Sequence, residues 1–341
     1  MTTEGYPGTV HWIDHAVLGT NDLNAWVEWA VNAIGATPQP MVGLTTAARR
    51  RNQPVFIFMT IGDGSCHFGA FLQREDLPPR AGLGKDMPRY GFFIRPEDVR
   101  DHLRRLDAHG IPHTDPLRTA AEGDAGTAIR FEDPDGNQFE FWAPDRMPAG
   151  AMEVRTDLGV GRISSAVYGS RDLRRTAAFF ERFCELRRVD SPEVPEDSLV
   201  LRLEGGARLV YNLVDEVEER RAGHAQWTGL HAALTLREHE FFPTYERMWD
   251  GIPEEDQITN PDGSSDQEDE LPARTAAHGS PTGRKWKKLY QRGDEFYDWD
   301  GHAFHFVGGT PLDADGSLAL YRPKESGEYL EELEARANSP A

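Results

Sequence analysis

Alternating apolar and polar residues, followed by apolar residues at helical spacing, form a unit near the start of the chain. Residues 11–20 alternate as a strand does, and residues 23–34 carry apolar side chains three and four positions apart, with Asp22 as a helix N-cap. Two further apolar stretches, 55–59 and 67–72, flank a glycine-rich turn. The pattern predicts a strand, a helix and then two or three strands.

The same order recurs three more times. The first strands of the second, third and fourth units are predicted at 90–94, 163–170 and 230–236. Helices are expected after them from 96 to about 109, from 171 to 183 and from about 239 to 249. Internal repetition at this scale indicates that the fold is built from copies of one βαβββ unit.

Two copies of a turn motif close the second and fourth units. Residues 133–141 read Asp-Pro-Asp-Gly-Asn-Gln-Phe-Glu-Phe, which predicts a tight turn followed by a strand. Glu140 lies between two aromatic residues, and a carboxylate there either faces water or needs a partner such as a metal ion. Alignment of the Asp-Gly pair with residues 300–301 places His305 where the first copy has Glu140.

Length and composition fit a protein with two domains. The chain has 341 residues, of which 38% are hydrophobic, and no apolar run approaches a membrane span. Its formal net charge of −20 disfavours nucleic acid and anionic membranes as partners. Cys66 and Cys184 are the only cysteines, and the first residues lack a secretory signal, so we expect a cytoplasmic protein without disulfides.

The repeated units and the closing motif resemble the vicinal oxygen chelate superfamily, which includes glyoxalase I, bleomycin-resistance proteins and type I extradiol dioxygenases. The resemblance implies an α+β fold in which four βαβββ modules pair into two incompletely closed eight-stranded barrels. The expected division is a first domain at 1–148, a linker at 149–158 and a second domain at 159–312. An acidic insertion at 251–285 interrupts the second domain, as a mobile surface segment or as a lid, and a tail follows at 313–341.

The resemblance implies metal ligands on the first and last strands of the units. In the first domain His15 and Glu140 match these positions, and His67 is a substitute for a further histidine that is missing at 89–91. A one-residue change of strand register decides whether His67 points towards the site or away from it.

In the second domain His231 and His305 match the ligand positions, while Ser165 stands at the first-strand position. His302, in the turn, is a further candidate beside these two. Tyr297 corresponds to a tyrosine that serves the substrate oxygen in extradiol enzymes, so His231 and Tyr297 are the catalytic candidates. By contrast His102, His109 and His113 are expected at the surface.

Three functions are compatible with these residues. The first is a metal-dependent, dioxygenase-like enzyme that chelates a small aromatic or vicinal-oxygen substrate at a divalent metal. Fe(II) is favoured and Mn(II), Zn(II) or Ni(II) are alternatives. The second is a metal-free protein that binds and sequesters a small molecule. The third is a metal-independent isomerase or lyase in which His231 or His305 is the base. A homodimer is compatible with each of them.

Overall fold

The computed structural model describes the strands and helices of most units. The described residues are 10–40, 56–62, 64, 66–72, 88–217, 231–237, 240, 244, 295–298, 300 and 302–309. The expected insertion at 251–285 and the tail at 313–341 lie outside them. So does the fourth predicted helix, apart from Glu240 and Thr244, which are helical.

The described residues of the first two units form eight strands and two α-helices. They are β1 (Val10–Thr20), α1 (Leu23–Ile34), β2 (Thr37–Pro40), β3 (Phe56–Ile61), β4 (Cys66–Leu72), β5 (Arg89–Phe93), a 3₁₀ turn (Pro96–Asp98), α2 (Val99–Ala108), β6 (Leu117–Thr119), β7 (Gly126–Glu132) and β8 (Gln138–Pro144).

The second half follows the same order as far as it is described. Its elements are β9 (Ile163–Ser170), α3 (Leu173–Phe183), β10 (Arg187–Arg188), β11 (Ser198–Arg202), β12 (Arg208–Leu213), β13 (His231–Arg237), β14 (Glu295–Tyr297) and β15 (Ala303–Gly309). The molecule is therefore a mixed α+β protein with many strands and few helices.

Local sequence signals account for the ends of α1 and the start of α3. The side chain of Asp22 accepts hydrogen bonds from the first free backbone N–H groups of α1, and Asp172 does the same for α3. Gly35 ends α1 with a φ of 74°, a left-handed conformation that costs glycine little. Both helices bury one apolar face against the sheet, which fixes the strands that carry the site residues.

All fifteen described strands join one hydrogen-bonded sheet with a repeated pairing rule. The leading strand of each unit pairs in parallel with the closing strand of the same unit: β1 with β4, β5 with β8, β9 with β12 and β13 with β15. Among the described residues, no helix combines the length and apolar character needed to cross a membrane.

Pairing between units differs from the prediction. The sequence predicts that units pair within each half of the chain, but β1 pairs antiparallel with β13 and β5 pairs antiparallel with β9. The first unit is therefore joined to the fourth and the second to the third. Periodicity indicates which face of a strand is buried, but it does not identify the strand that lies beside it, so this part of the prediction was wrong.

Candidate metal centre and its counterpart

Two histidines from the first unit lie side by side. Strand β1 pairs with β4 so that His15 and His67 are direct neighbours. Their rings stack with centroids 4.7 Å apart and an angle of 17° between the planes, and Phe58 packs edge-on against both. In the observed register, the side chain of His67 lies on the same face of the sheet as that of His15. This is the register in which His67 can contribute to the same site.

A third histidine reaches this pair from the other half of the chain. His15 pairs with Ala233 on β13, and His231 lies two residues along that strand, on the same face. The Nε2 atoms of His15 and His231 are 3.4 Å apart. The two residues are 216 positions apart in the sequence, and the antiparallel pairing of β1 with β13 brings them together.

A β-bulge brings Asp14 to the same histidines. Between the pairs Ile13–Leu234 and His15–Ala233, β1 has one residue more than β13, and this extra residue is Asp14. Its side chain is buried, with Oδ2 2.7 Å from His15 Nδ1 and 3.8 Å from His67 Nε2. Asp14, His15 and His67 together form a group that could hold a metal ion, with ligand atoms within 4.8 Å of one another.

The sequence did not identify Asp14 as a site residue. Strict alternation along β1 places it on the face opposite His15, and only the bulge removes that alternation. The one available signal was that an acidic residue directly precedes a candidate ligand in an apolar strand. An ionised carboxylate can only accept hydrogen bonds, so His15 donates from Nδ1 and presents Nε2 towards His231.

The backbone positions of His305 and Tyr297 follow from the strand register. His305 on β15 pairs with Ala233, which is itself the partner of His15. Tyr297 on β14 pairs with Ala303, the neighbour of His231. Through these strand partners, the backbone of His305 is in register with His15, and the backbone of Tyr297 is in register with His231.

Glu140 lies in a different place from the one the sequence predicts. It is 2% exposed, so the alternative in which it faces water is wrong. Strands β9 and β5 stand between β1 and β8 in the sheet, and Glu140 Oε2 lies 3.3 Å from Arg89 Nε and 3.4 Å from Arg130 Nε. Burial raises the pKa of Glu140 against the opposing effect of Arg89. The structure does not bring Glu140 together with His15.

The surroundings of Glu140 correspond, position by position, to the histidine site. Strand β9 has its extra residue, Ser164, where β1 has Asp14, so Ser165 takes the place of His15. Arg208 pairs with Ser165 as His67 pairs with His15. On β5 and β8, Arg89 stands at the position of His231 and Glu140 at that of His305. We call the group of Ser165, Arg208, Arg89 and Glu140 the arginine site.

His302, a candidate ligand in the sequence, has a different partner. Its Nε2 atom lies 2.7 Å from the backbone oxygen of Gly169, and its backbone N–H donates to Asp298 Oδ1. These contacts hold the turn before β15 against the end of β9. Within the described residues His302 therefore serves the turn and does not join His231.

Comparison with known proteins agrees with this architecture. Residues 12–141 match the family described as the Glyoxalase/Bleomycin resistance protein/Dioxygenase superfamily. A "putative dioxygenase" from Bacillus subtilis is 13% identical, with a TM-score of 0.58 and 98% of each chain covered. A point mutant of glyoxalase I from Zea mays is 16% identical, with a TM-score of 0.52, 87% of this chain and 93% of the other being covered. No curated protein matches.

Repeated units with histidines on leading and closing strands are the arrangement that the resemblance to the vicinal oxygen chelate superfamily predicts. The match of residues 12–141 to the glyoxalase, bleomycin-resistance and dioxygenase superfamily agrees with the resemblance seen in the sequence. At these low identities the two solved structures show a common fold.

Proposed function

We propose that this protein is a metal-dependent enzyme that acts on a small molecule in a cup formed by the first and fourth units. The observation that carries the proposal is the meeting of His15, His67 and His231, from three adjacent strands, with a buried carboxylate behind them. The other cup, formed by the second and third units, contains the arginine site. Four modules in two incomplete barrels are part of this proposal.

The spacing of the donor atoms supports a metal centre. Two nitrogens bound to one tetrahedral metal at ~2.05 Å are roughly 3.3 Å apart. The Nε2 atoms of His15 and His231 are separated by 3.4 Å. Asp14 supports the same interpretation, because ligand histidines commonly donate their second ring N–H to a carboxylate, which fixes the tautomer and the orientation of the ring.

Each side chain of the site has a definite task in this proposal. His15, held by Asp14, and His231 present Nε2 to the metal, and His67 is the third protein ligand. A bound divalent metal would act as a Lewis acid that stabilises an anionic form of the substrate. Phe58, edge-on to His15 and His67, keeps one side of the site apolar. His305 and Tyr297 are proposed as a further ligand and as a group that contacts the substrate.

The position of Glu140 removes the reason for favouring Fe(II) over the other divalent metals. In the sequence that preference rested on a two-histidine, one-carboxylate set that included Glu140, and Glu140 is bound to Arg89 instead. Asp14 is the carboxylate that could complete such a set with His15 and His67. If Asp14 only orients His15, the imidazole-rich set suits Zn(II), Fe(II) or Ni(II). Dioxygenase-like chemistry, an aromatic substrate and a homodimer stay predictions from the resemblance.

Metal content of the purified protein tests the proposal. The wild type, prepared without oxygen or chelators, should contain about one equivalent of a divalent transition metal by mass spectrometry. His15→Ala and His231→Ala should both lose most of it, since removing one of three ligands strongly weakens binding. His109→Ala, which changes an exposed histidine at the end of α2, is the matched control.

Glu140→Gln separates this proposal from the first-domain site expected from the sequence. Its metal content should equal that of the wild type if the metal lies on the histidines. Loss of metal in Glu140→Gln but not in His231→Ala would contradict the proposed site. A wild-type protein that binds a small aromatic ligand but no metal would favour the sequestration function instead.

A further inference from the structure

We propose that the arginine site binds a small monoanionic carboxylate, separately from the metal centre. It goes beyond the proposed enzyme function because it concerns a second constellation, in which an arginine and a serine replace His67 and His15. Three features of the site point to such a ligand: the hydrogen-bonding state of Arg208, two buried serine hydroxyls and the charge of the surrounding groups.

Arg208 has donors that no described residue satisfies with a hydrogen bond. It is 1% exposed, and its one close acidic neighbour among the described residues is Glu122, whose Oε2 lies 3.3 Å from Nη2 as an ion pair without hydrogen-bond geometry. Its guanidinium carbon lies 4.7 Å from the centre of the Trp142 ring, a contact that helps to hold the side chain in place. A buried guanidinium carries a large desolvation cost, so donors held in this way call for an acceptor. Carboxylates suit a guanidinium because they accept two parallel hydrogen bonds.

Two serine hydroxyls extend the donor set. Ser164 and Ser165 are fully buried on β9, and neither Oγ has a hydrogen-bond partner among the described residues. Gly91 on the neighbouring strand makes room for them, because a Cβ at this position would lie 2.5 Å from both Oγ atoms. The bulge at Ser164 and the glycine opposite Ser165 thus leave room for both hydroxyls, and Ser165 is the strand partner of Arg208.

Glu122 shows how a carboxylate is accommodated here. It lies between β6 and β7, with one oxygen 2.8 Å from Arg89 Nη2 and the other 3.3 Å from Arg208 Nη2. Burial opposes its ionisation, but Arg208 and Arg89 hold the pKa of Glu122 below its usual value. Its side chain keeps 12% exposure, so this carboxylate is the one at the edge of the group.

The charge of the group fits one additional anion. Arg89, Arg130 and Arg208 supply three positive charges, and Glu122 and Glu140 supply two negative ones. These five described groups carry one more positive than negative charge in a mostly buried place, where a monoanion gains more than in water. A carboxylate that enters would bind Arg208 and the serines and compete with Glu122 for Arg89 and Arg208.

Calorimetric titration of the full-length protein with sodium acetate tests the proposal, with sodium chloride replaced at constant ionic strength. The wild type should bind acetate saturably, and chloride should not compete. Arg208→Lys keeps the charge but loses the paired donors, so it should weaken acetate binding at least tenfold, roughly the effect of losing one charge-assisted bond. Arg174→Lys, on the exposed side of α3, should bind acetate as the wild type does.

Two further variants keep the test decisive. Glu122→Gln removes the competing carboxylate and should tighten acetate binding several-fold, even if Arg208→Lys does not fold. His15→Ala should leave acetate binding unchanged, because the metal centre is a different place. Loss of acetate binding in His15→Ala, an unchanged affinity in both Arg208→Lys and Glu122→Gln, or binding of inorganic phosphate without acetate would each overturn the proposal.

Discussion

Different side chains make the same contact in the two closing turns. Asp133 Oδ1 accepts from the backbone N–H groups of Asp135 and Asn137, and Asp298 Oδ1 accepts from those of Asp300 and His302. In the first turn Asn137 Nδ2 donates to the oxygen of Gly19 at 3.3 Å. His302 Nε2 makes the equivalent bond to Gly169 in the second. A histidine can thus replace an asparagine for its N–H donor alone.

This equivalence predicts the order of two variants. His302→Ala should lower the free energy of unfolding by ~2 kcal/mol, because the buried Gly169 oxygen loses its donor. His302→Asn should lose about half as much, since it restores a donor but not the ring contact with Tyr168. Urea unfolding measures both. Loss of bound metal from folded His302→Ala, with metal retained in the control His109→Ala, would show that His302 belongs to the metal centre after all.

At this scale the sequence proposed His15, His67 and His231, which the structure brings together, but it did not single out Asp14 or Arg208. The histidines were candidates because the residue type itself suggests the chemistry and the repeat marks the position. Asp14 depends on a bulge, and the importance of Arg208 depends on Ser165 beside it, from another strand. Neither relation can be read from local periodicity.

Among the elements, the helices were predicted best because their ends are encoded locally, as by Asp22 and Gly35 for α1. The burial of α2 was predicted less well. His102 was expected at the surface, but it is 1% exposed and lies against Phe141 with ring centroids 4.6 Å apart. The charged neighbours of His102 in the sequence predict an exposed side chain, but an imidazole ring can also pack against an aromatic residue of a strand.

The burial of His102 predicts a pH effect. Burial and the nearby Arg105 lower the pKa of His102 from 6.5 to about 4, so the folded state binds fewer protons than the unfolded state between these values. The folded state is therefore more stable, relative to the unfolded state, above pH 6.5 than at low pH. This part of the free energy of unfolding is lost as the pH falls towards 4. It amounts to about 3 kcal/mol.

His102→Leu should remove this part of the acid sensitivity, because leucine fills the same place and does not titrate. Urea unfolding of both proteins at about pH 7 and about pH 4.5 measures it, and the difference in stability between the two pH values should be smaller in the variant. His109→Leu, an exposed change two turns away, should behave as the wild type does. Equal pH dependence in wild type and His102→Leu would contradict the assignment.

For the whole molecule, strand pairing joins the residues before 149–158, the linker expected from the sequence, to the residues after it. Strands β1 and β13, and likewise β5 and β9, form these hydrogen-bonded pairs. The sequence predicted the order of strands and helices in the described parts of the chain, since that order follows from local patterns. It could not predict the partners, because every leading strand presents a similar apolar face and any two of them could pair.

Cleavage of the backbone in the expected linker should therefore give two fragments that stay associated. With a protease recognition sequence inserted after Asp157, in the exposed turn between Thr156 and Val160, cleavage should give two bands on a denaturing gel. Under native conditions the product should elute as one species and keep its metal. An uncleaved sample of the same insertion variant is the control. Separation into two halves without denaturant would contradict the pairing across the linker.

The distance along the chain between His15 and His231 also sets a time order for biosynthesis. Residues 216 positions apart close a large loop, and such contacts form late because much chain entropy is lost at once. On the ribosome, where roughly 5–20 residues are added per second, His15 waits many seconds for its partner. A nascent chain should thus acquire its full metal affinity only after β13 has emerged. Tight metal binding would then show that β1 and β13 have paired.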